Sequence, residues 1–331
     1  QNMAGDADRH PRPKGWLVLM LTIGLLQMPI LAQGFVVDTE TSLATGIETN
    51  LGGRSLLVEE LTTTWCPTCA EIDPYLMGVS DAHGSRIALM AYHPSDGEDA
   101  FSPPASDHRI DRLMAVYPEL PGTPSFIVEG RAFHTGTEAW VDVQRDILDA
   151  EVERQMFTKL QFSVKSNGDN ITATLVDFEG HAKNNSQLTF LVLEHEKTVP
   201  KGAVNPGGPT RDRVVIATSE CDIASGEVTE SIDLIDAVAS VGCMTDFSIT
   251  FEALESFSVV LVHENTFATI NTTEDLGSYG AVEFAYRERS ETESWNSAWV
   301  VLFCAGMAGL LIFPKKNKIS HSREDSSGKA S

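Results

Sequence analysis

The pattern of apolar and polar positions changes texture near residue 157. Before it, short apolar runs alternate with segments of helical spacing. "RSLLVEEL" at 54–61 reads as a short buried strand. In "AEIDPYLMGVSDAHG" the residues Ile72, Leu76 and Val79 recur at helical spacing up to Gly84, with Pro74 expected to kink or delay the helix. "RIALMAYH" at 86–93 reads as a second strand, followed by the polar insertion "PSDGEDAFSPPASDH" and an amphipathic helix over "RIDRLMAVYPEL". "PGTPSFIVEG" predicts a turn and strand, "RAFHTG" a further strand or turn, and "TEAWVDVQRDILDAEVERQMF" a long helix. This is an α/β order. Beyond it come "LQFSVKS", "NITATLVD", "LTFLVLEH", "RVVIATS", "ESIDLID", "DFSITFEA", "FSVVLVHE" and "AVEFAYRE", separated by Asn, Gly, Asp and Pro. Such alternating runs, without a long helical pattern, predict an all-β sandwich.

Two longer apolar runs change the picture at the ends. "WLVLMLTIGLLQMPILA" at 16–32 follows Arg9, Arg12 and Lys14, and reads as a signal peptide or signal anchor within 1–34. "WNSAWVVLFCAGMAGLLIF" at 295–313 has the length of a membrane span, with Lys315, Lys316 and Lys318 behind it. Both cationic flanks then lie inside, so residues 35–294 face outward and 314–331 form a cytoplasmic tail. The expected location is the cell membrane, with the main domains on the extracytoplasmic side. Sequons at Asn170, Asn184 and Asn271 fall in the outward segment and make glycosylation conceivable there.

The net charge of −23 excludes nucleic acid as a partner, because no cationic surface is available to displace phosphate counterions. Of the five cysteines, Cys304 lies in the second apolar run as a small apolar residue. Cys221 and Cys243 lie in or near predicted strands, and in an oxidising compartment a structural disulfide is the leading expectation.

The candidate chemistry lies in "VEELTTTWCPTCAEIDPYL", where Cys66 and Cys69 stand two residues apart at the first strand-to-helix junction. A zinc site would need two further ligands, and His83, His93, His108 and His134 offer no paired spacing. A cysteine at a helix start meets the positive end of the macrodipole and free N–H groups. Both stabilise the thiolate, which is the attacking species. Cys66 is therefore the expected exposed nucleophile, and Cys69, one turn further in, the resolving thiol. No glycine-rich phosphate loop and no cofactor site is visible, so electrons would arrive by thiol exchange with a protein partner.

"LLVEELTTTWCPTC" resembles the thioredoxin superfamily: a hydrophobic strand ending in an acid, a Trp, then Cys-x-x-C opening a helix. The resemblance implies that Glu60 is a buried acid assisting proton transfer at the resolving cysteine, and that Trp65 is the aromatic preceding the pair. Glu59 should point the other way, as a solvated charge. "GTPSFIV" is similar to the family's cis-proline loop, which would place Thr123 and Pro124 opposite the disulfide; Pro121 reads as loop punctuation. Pro67–Thr68 is neither the Gly-Pro of reducing thioredoxins nor the Gly-His of disulfide isomerases, which leaves the direction of electron flow open. The insertion at 93–108 is longer than in a minimal thioredoxin and is expected to form part of a substrate rim.

These readings combine into an α/β thioredoxin-like domain at 36–156, an all-β sandwich at 157–290 and a C-terminal transmembrane helix at 295–313. The expected function is an extracytoplasmic thiol–disulfide oxidoreductase. Its partners would be protein thiols or disulfides and a membrane or extracytoplasmic redox protein. The alternative is a surface binding or adhesion protein that keeps the fold without efficient turnover.

Overall fold

In the computed structural model, which describes residues 35–288 other than 121, 155 and 181–184, the apolar runs become strands and the helical spacings cover them. β1 (Phe35–Val37) and β2 (Ile47–Glu48) precede β3 (Leu56–Leu61), which is buried along its length. Helix α1 (Pro67–His83) has Pro67 in its first turn, where a missing N–H is no loss. It runs without interruption through Pro74 and stops at Gly84, where φ is 59°. β4 (Ile87–Tyr92) follows, then α2 (Pro104–Val116), which opens at Pro104 rather than at Arg109. β5 (Ser125–Val128), β6 (His134–Thr135) and α3 (Ala139–Glu153) complete this half. The helix α3 buries Ala139, Val143, Ile147 and Ala150, the three-and-four spacing of one helical face.

The second half is strand after strand. β7 (Lys159–Asn167) and β8 (Asn170–Glu179) lead to β9 (Ser186–Glu194) and the small pair β10 (Lys197–Thr198) and β11 (Thr210–Arg211). β12 (Val214–Asp222), β13 (Glu227–Ile232), β14 (Asp236–Val238), β15 (Ser248–Glu252) and β16 (Phe257–Asn265) follow. A short helix α4 (Phe267–Thr273) precedes the last described strand, β17 (Ser278–Tyr286).

One ten-stranded sheet has the order β1-β17-β16-β9-β12-β4-β3-β5-β6, with β13 paired to β12. A five-stranded sheet, β14-β15-β8-β7-β2, packs on part of it. The two sheets meet through Phe162, Val164, Ala173 and Ile249 on one side and Phe190, Val192, Val259 and Phe284 on the other. β7 alternates buried and partly exposed residues because one of its faces is free of the core. β9 and β16 are buried on both faces, with Leu191, Leu193, Val260 and Val262 meeting α2 and α4. Helices α1 and α3 cover the opposite face of β3, β4 and β5 through Ile72, Leu76, Val143 and Ile147. Close approach near Thr158 requires glycine: a Cβ on Gly53, whose φ is +133°, would lie 1.9 Å from the Thr158 carbonyl oxygen.

This architecture corrects the expected one. Among the described residues 40% are in strands and 21% in helices, against the predicted α/β thioredoxin-like domain with a separate sandwich. β12 pairs in parallel with β4 through Val214 and Ala91, so a single sheet runs across residue 157. Pairing beside β4 satisfies an edge that a free-standing α/β domain would leave open. No helix among the described residues is long and apolar enough to cross a membrane, so the predicted transmembrane helix and membrane-anchored location are not supported. The apolar runs at 16–32 and 295–313, Cys304, the tail at 314–331, Asn184 and Pro121 lie outside the described residues.

Candidate active site

β3 delivers the chain to the loop Thr62–Thr63–Thr64–Trp65, whose three threonines are buried, and α1 begins immediately after it. Cys66 is the N-cap, with φ −76° and ψ 118°, and its Sγ accepts the Cys69 backbone N–H at 3.1 Å. That bond satisfies one of the helix's orphan donors and points a positive dipole at the sulfur. Cys66 and Cys69 are joined in a disulfide. Cys66 is 4% exposed and Cys69 0%, so Cys66, expected to be exposed, is itself buried.

The Thr123–Pro124 peptide bond is cis. The Thr123 carbonyl oxygen lies 3.6 Å from Cys66 Sγ, a contact rather than a hydrogen bond because the disulfide sulfur carries no proton. Thr123 also approaches the Cys loop through its hydroxyl, 3.4 Å from that of Thr63. Thr123 and Cys66, far apart in sequence, therefore meet at one surface with Pro124 buried behind them.

The insertion after β4 clamps the Cys loop. Trp65 Nε1 donates to Asp96 at 2.8 Å, and the Thr64 N–H donates to Asp99 at 2.7 Å. Asp99 also meets the buried His93 ring at 2.9 Å and accepts the Phe101 N–H. Burial pushes the Asp99 carboxyl up, but these partners hold it below the usual range. Trp65 is thus braced sideways by the insertion.

Glu59 and Glu60 point to opposite faces of β3, as strand geometry requires. The expectation of a solvated Glu59 is wrong: it is 3% exposed and accepts from Tyr92 and Arg109 at 2.8 and 2.9 Å. Arg109 also donates to Glu264 at 2.7 Å, while Arg112 lies 3.2 Å from Glu264 and 3.5 Å from Glu220. Helix α2 therefore buries its cationic residues against the sheet, because the sheet presents carboxylates there.

Glu60, 1% exposed, meets Asp73 of α1 side chain to side chain. Asp73 lies four residues after Cys69, on the same helical face. Arg211 reaches them from β11: its Nε lies 3.2 Å from Asp73 Oδ2, and its Nη2 donates to the Thr64 carbonyl at 3.3 Å. The loop before β11 packs on α1 so closely that a Cβ at Gly207 would lie 3.0 Å from that of Ala70. A cavity of about 20 Å³ is lined by Glu60, Thr62, Asp73, His93 and Arg211, among others. Burial, then the nearby Asp73 charge, pushes the Glu60 carboxyl well up, against the pull of Arg211. Burial likewise raises Asp73 to about 7 despite Arg211.

Cys66, Cys69, Thr123 and Pro124 are thus brought together, Trp65 flanks them, and Glu60 is linked to the Cys-bearing helix through Asp73. Asp73, Arg211, Asp96 and Asp99 were missed by sequence reasoning. Only Asp73 had a local signal, its four-residue spacing from Cys69. The second cysteine pair is also joined, Cys221 to Cys243, both buried between the sheets.

No protein-family model and no curated protein matches the chain. Two solved structures are similar in part. HBP35 of Porphyromonas gingivalis is 16% identical with a TM-score of 0.48, covering 74% of this chain and 80% of that one. Protein AGR_C_4864 from Agrobacterium tumefaciens is 14% identical with a TM-score of 0.44, covering 74% of this chain and 99% of its own.

Proposed function

We propose that this protein is a thiol–disulfide oxidoreductase acting on protein thiols or disulfides through Cys66 and Cys69. The observation that carries the reading is Cys66 at the N-cap of α1, accepting the Cys69 N–H and facing the Thr123 carbonyl. A helix N-terminus stabilises a thiolate and lowers the cost of its departure. The local resemblance of "LLVEELTTTWCPTC" and "GTPSFIV" to the thioredoxin superfamily supports the same chemistry at the level of these two motifs.

In the oxidising direction for the protein, Cys66 thiolate attacks one sulfur of a substrate disulfide. A Cys66–substrate disulfide forms, and the other substrate sulfur leaves as thiolate to be protonated by water. Cys69 then loses its proton and attacks Cys66 Sγ, closing the Cys66–Cys69 bond and expelling the second substrate thiolate. Two electrons pass from the dithiol to the substrate, and the reverse sequence oxidises a substrate dithiol.

The test is a trap in the full chain. Cys69→Ser lacks the resolving thiol and should accumulate adducts with partner proteins that are released by a reducing agent. Cys66→Ser should trap nothing and lose turnover of a test disulfide. Equal trapping by both variants would show that the nucleophile is misassigned.

The 4% exposure of Cys66 favours a second reading, a binding protein whose pair simply stays oxidised. It predicts that the reduced wild-type chain fails to turn over a protein disulfide.

A further inference from the structure

Two carboxyl groups packed side by side away from water cannot both stay ionised unless something neutralises them. Among the described residues no aligned hydrogen-bond donor from another residue reaches Glu60 Oε1 or either Asp73 carboxylate oxygen, and Arg211 pairs with Asp73 by charge. A proton on one carboxyl supplies the missing donor. The side chains are unequal: Glu60 is 1% exposed, whereas the Asp73 side chain is 17% exposed and shares its helical face with Cys69. Asp73 combines partial exposure to water with a place on the Cys69 face of α1. The adjoining cavity has room for about one water molecule.

Building on the proposed thiol exchange, we propose that Asp73 accepts the Cys69 proton, that Glu60 remains protonated and donates to Asp73, and that Arg211 is a positioning residue keeping Asp73 ionised. The step balances as follows. In the mixed disulfide, the Cys69 S–H proton passes to the Asp73 carboxylate, directly or through one water. The resulting thiolate attacks Cys66 Sγ and expels the substrate thiolate, and Asp73 later returns its proton to solvent. The other titratable groups around the pair are Asp212, Arg213 and His93. Arg213 is engaged with Glu283 at 2.8 Å and His93 with Asp99 at 2.9 Å, so neither neutralises Asp73. Arg211 comes from the β-rich half of the chain, which thereby regulates chemistry carried by α1.

The experiment uses the reduced full-length protein and Ellman's reagent, which first adds to Cys66 and then releases a second thionitrobenzoate when Cys69 resolves the adduct. Asp73→Asn should slow the second phase at neutral pH by roughly tenfold or more, the low end of general-base contributions, and leave the first phase unchanged. Glu60→Gln should slow it less. Arg211→Gln should move the pH midpoint of the second phase upward, because Asp73 then holds its proton more tightly, whereas Arg211→Lys should keep the midpoint. A second phase slowed by Glu60→Gln but not by Asp73→Asn would overturn the assignment, as would an unmoved midpoint in Arg211→Gln. Infrared spectra provide a readout independent of turnover. Oxidised wild type near pH 8 should show a carboxylic-acid C=O band that Glu60→Gln removes and Asp73→Asn retains, and its absence from wild type would overturn the proposal. Absence of the first phase from wild type would instead sink the thiol-exchange reading itself, so the two failures are distinguishable.

Discussion

Replacing Arg109 by Leu tests whether α2 joins the two halves of the large sheet. Arg109 is 2% exposed and donates to Glu264 on β16 at 2.7 Å and to Glu59 on β3 at 2.9 Å. Arg112 still lies 3.2 Å from Glu264, and the Thr189 hydroxyl donates to it at 2.6 Å, so Glu264 keeps partners in the variant. Among the described residues Glu59 retains the Tyr92 hydroxyl as its side-chain donor. Removing one partner of a buried ion pair costs about 3–5 kcal/mol, since the remaining charge is stranded away from water. With a urea slope of about 2–3 kcal/mol/M, the midpoint should fall by roughly 1–2.5 M at unchanged slope. Fluorescence of Trp65 and Trp140 and far-UV circular dichroism should shift together. Adding Glu59→Gln removes the stranded charge while leaving an acceptor for Tyr92, and should recover most of the loss. A midpoint shift below about 0.3 M would refute the reasoning. So would a double variant as unstable as Arg109→Leu alone.

Cys221→Ser opens a disulfide spanning a sequence separation of 22 and should lower unfolding stability by about 3 kcal/mol in urea, without changing the rate at which Cys66 forms adducts. An unchanged midpoint would show that this disulfide adds nothing. Stability should also depend on pH in two windows, one acidic and one running up to neutrality. Burial pushes Glu264 up, but Arg109 and Arg112 pull it down to about 2. Its contribution is therefore present above its ordinary pKa and is lost as pH falls toward 2. Asp73 is raised from 3.8 to about 7, so its contribution is complete below 3.8, is lost progressively as pH rises from there to 7, and changes no further above 7. Urea midpoints measured from pH 3 to 9 should show both slopes. Asp73→Asn should make only the upper slope shallower, the rest of it coming from Glu60, and a wild-type midpoint that does not fall between about pH 4 and 7 would contradict the burial argument.

Much of this protein was legible in its sequence, because periodicity and turn chemistry act locally. The runs at 56–61 and 87–92 are strands, Gly84 stops the first helix, and Cys66 caps it. Near-continuous apolar runs such as "LTFLVLE" mark strands buried on both faces, and "LQFSVKS" alternates because only one of its faces is buried. Thr123–Pro124 was read as the loop opposite the cysteines only through the resemblance of "GTPSFIV" to a family motif, not from local pattern. Strand pairing was not legible. No local pattern states that β12 docks beside β4, because the choice depends on which edges remain open once the layers stack. Charge environments were decided by the same assembly. Glu59 and Glu60 are neighbours of one residue type on one strand. Yet the first faces Arg109 and the second faces Asp73, which differ in charge, and those partners come from separate helices. The amphipathic pattern of α2 does not say that Arg109 and Arg112 are buried; the carboxylates that make this possible, Glu59, Glu220 and Glu264, come from separate strands. Asp73 could be placed near Cys69 by helical spacing alone, but its burial against Glu60 and pairing with Arg211 exist only because the chain returns to α1 from β11. Desolvation and long-range pairing are properties of the packed molecule, and here they determine which carboxylates carry charge.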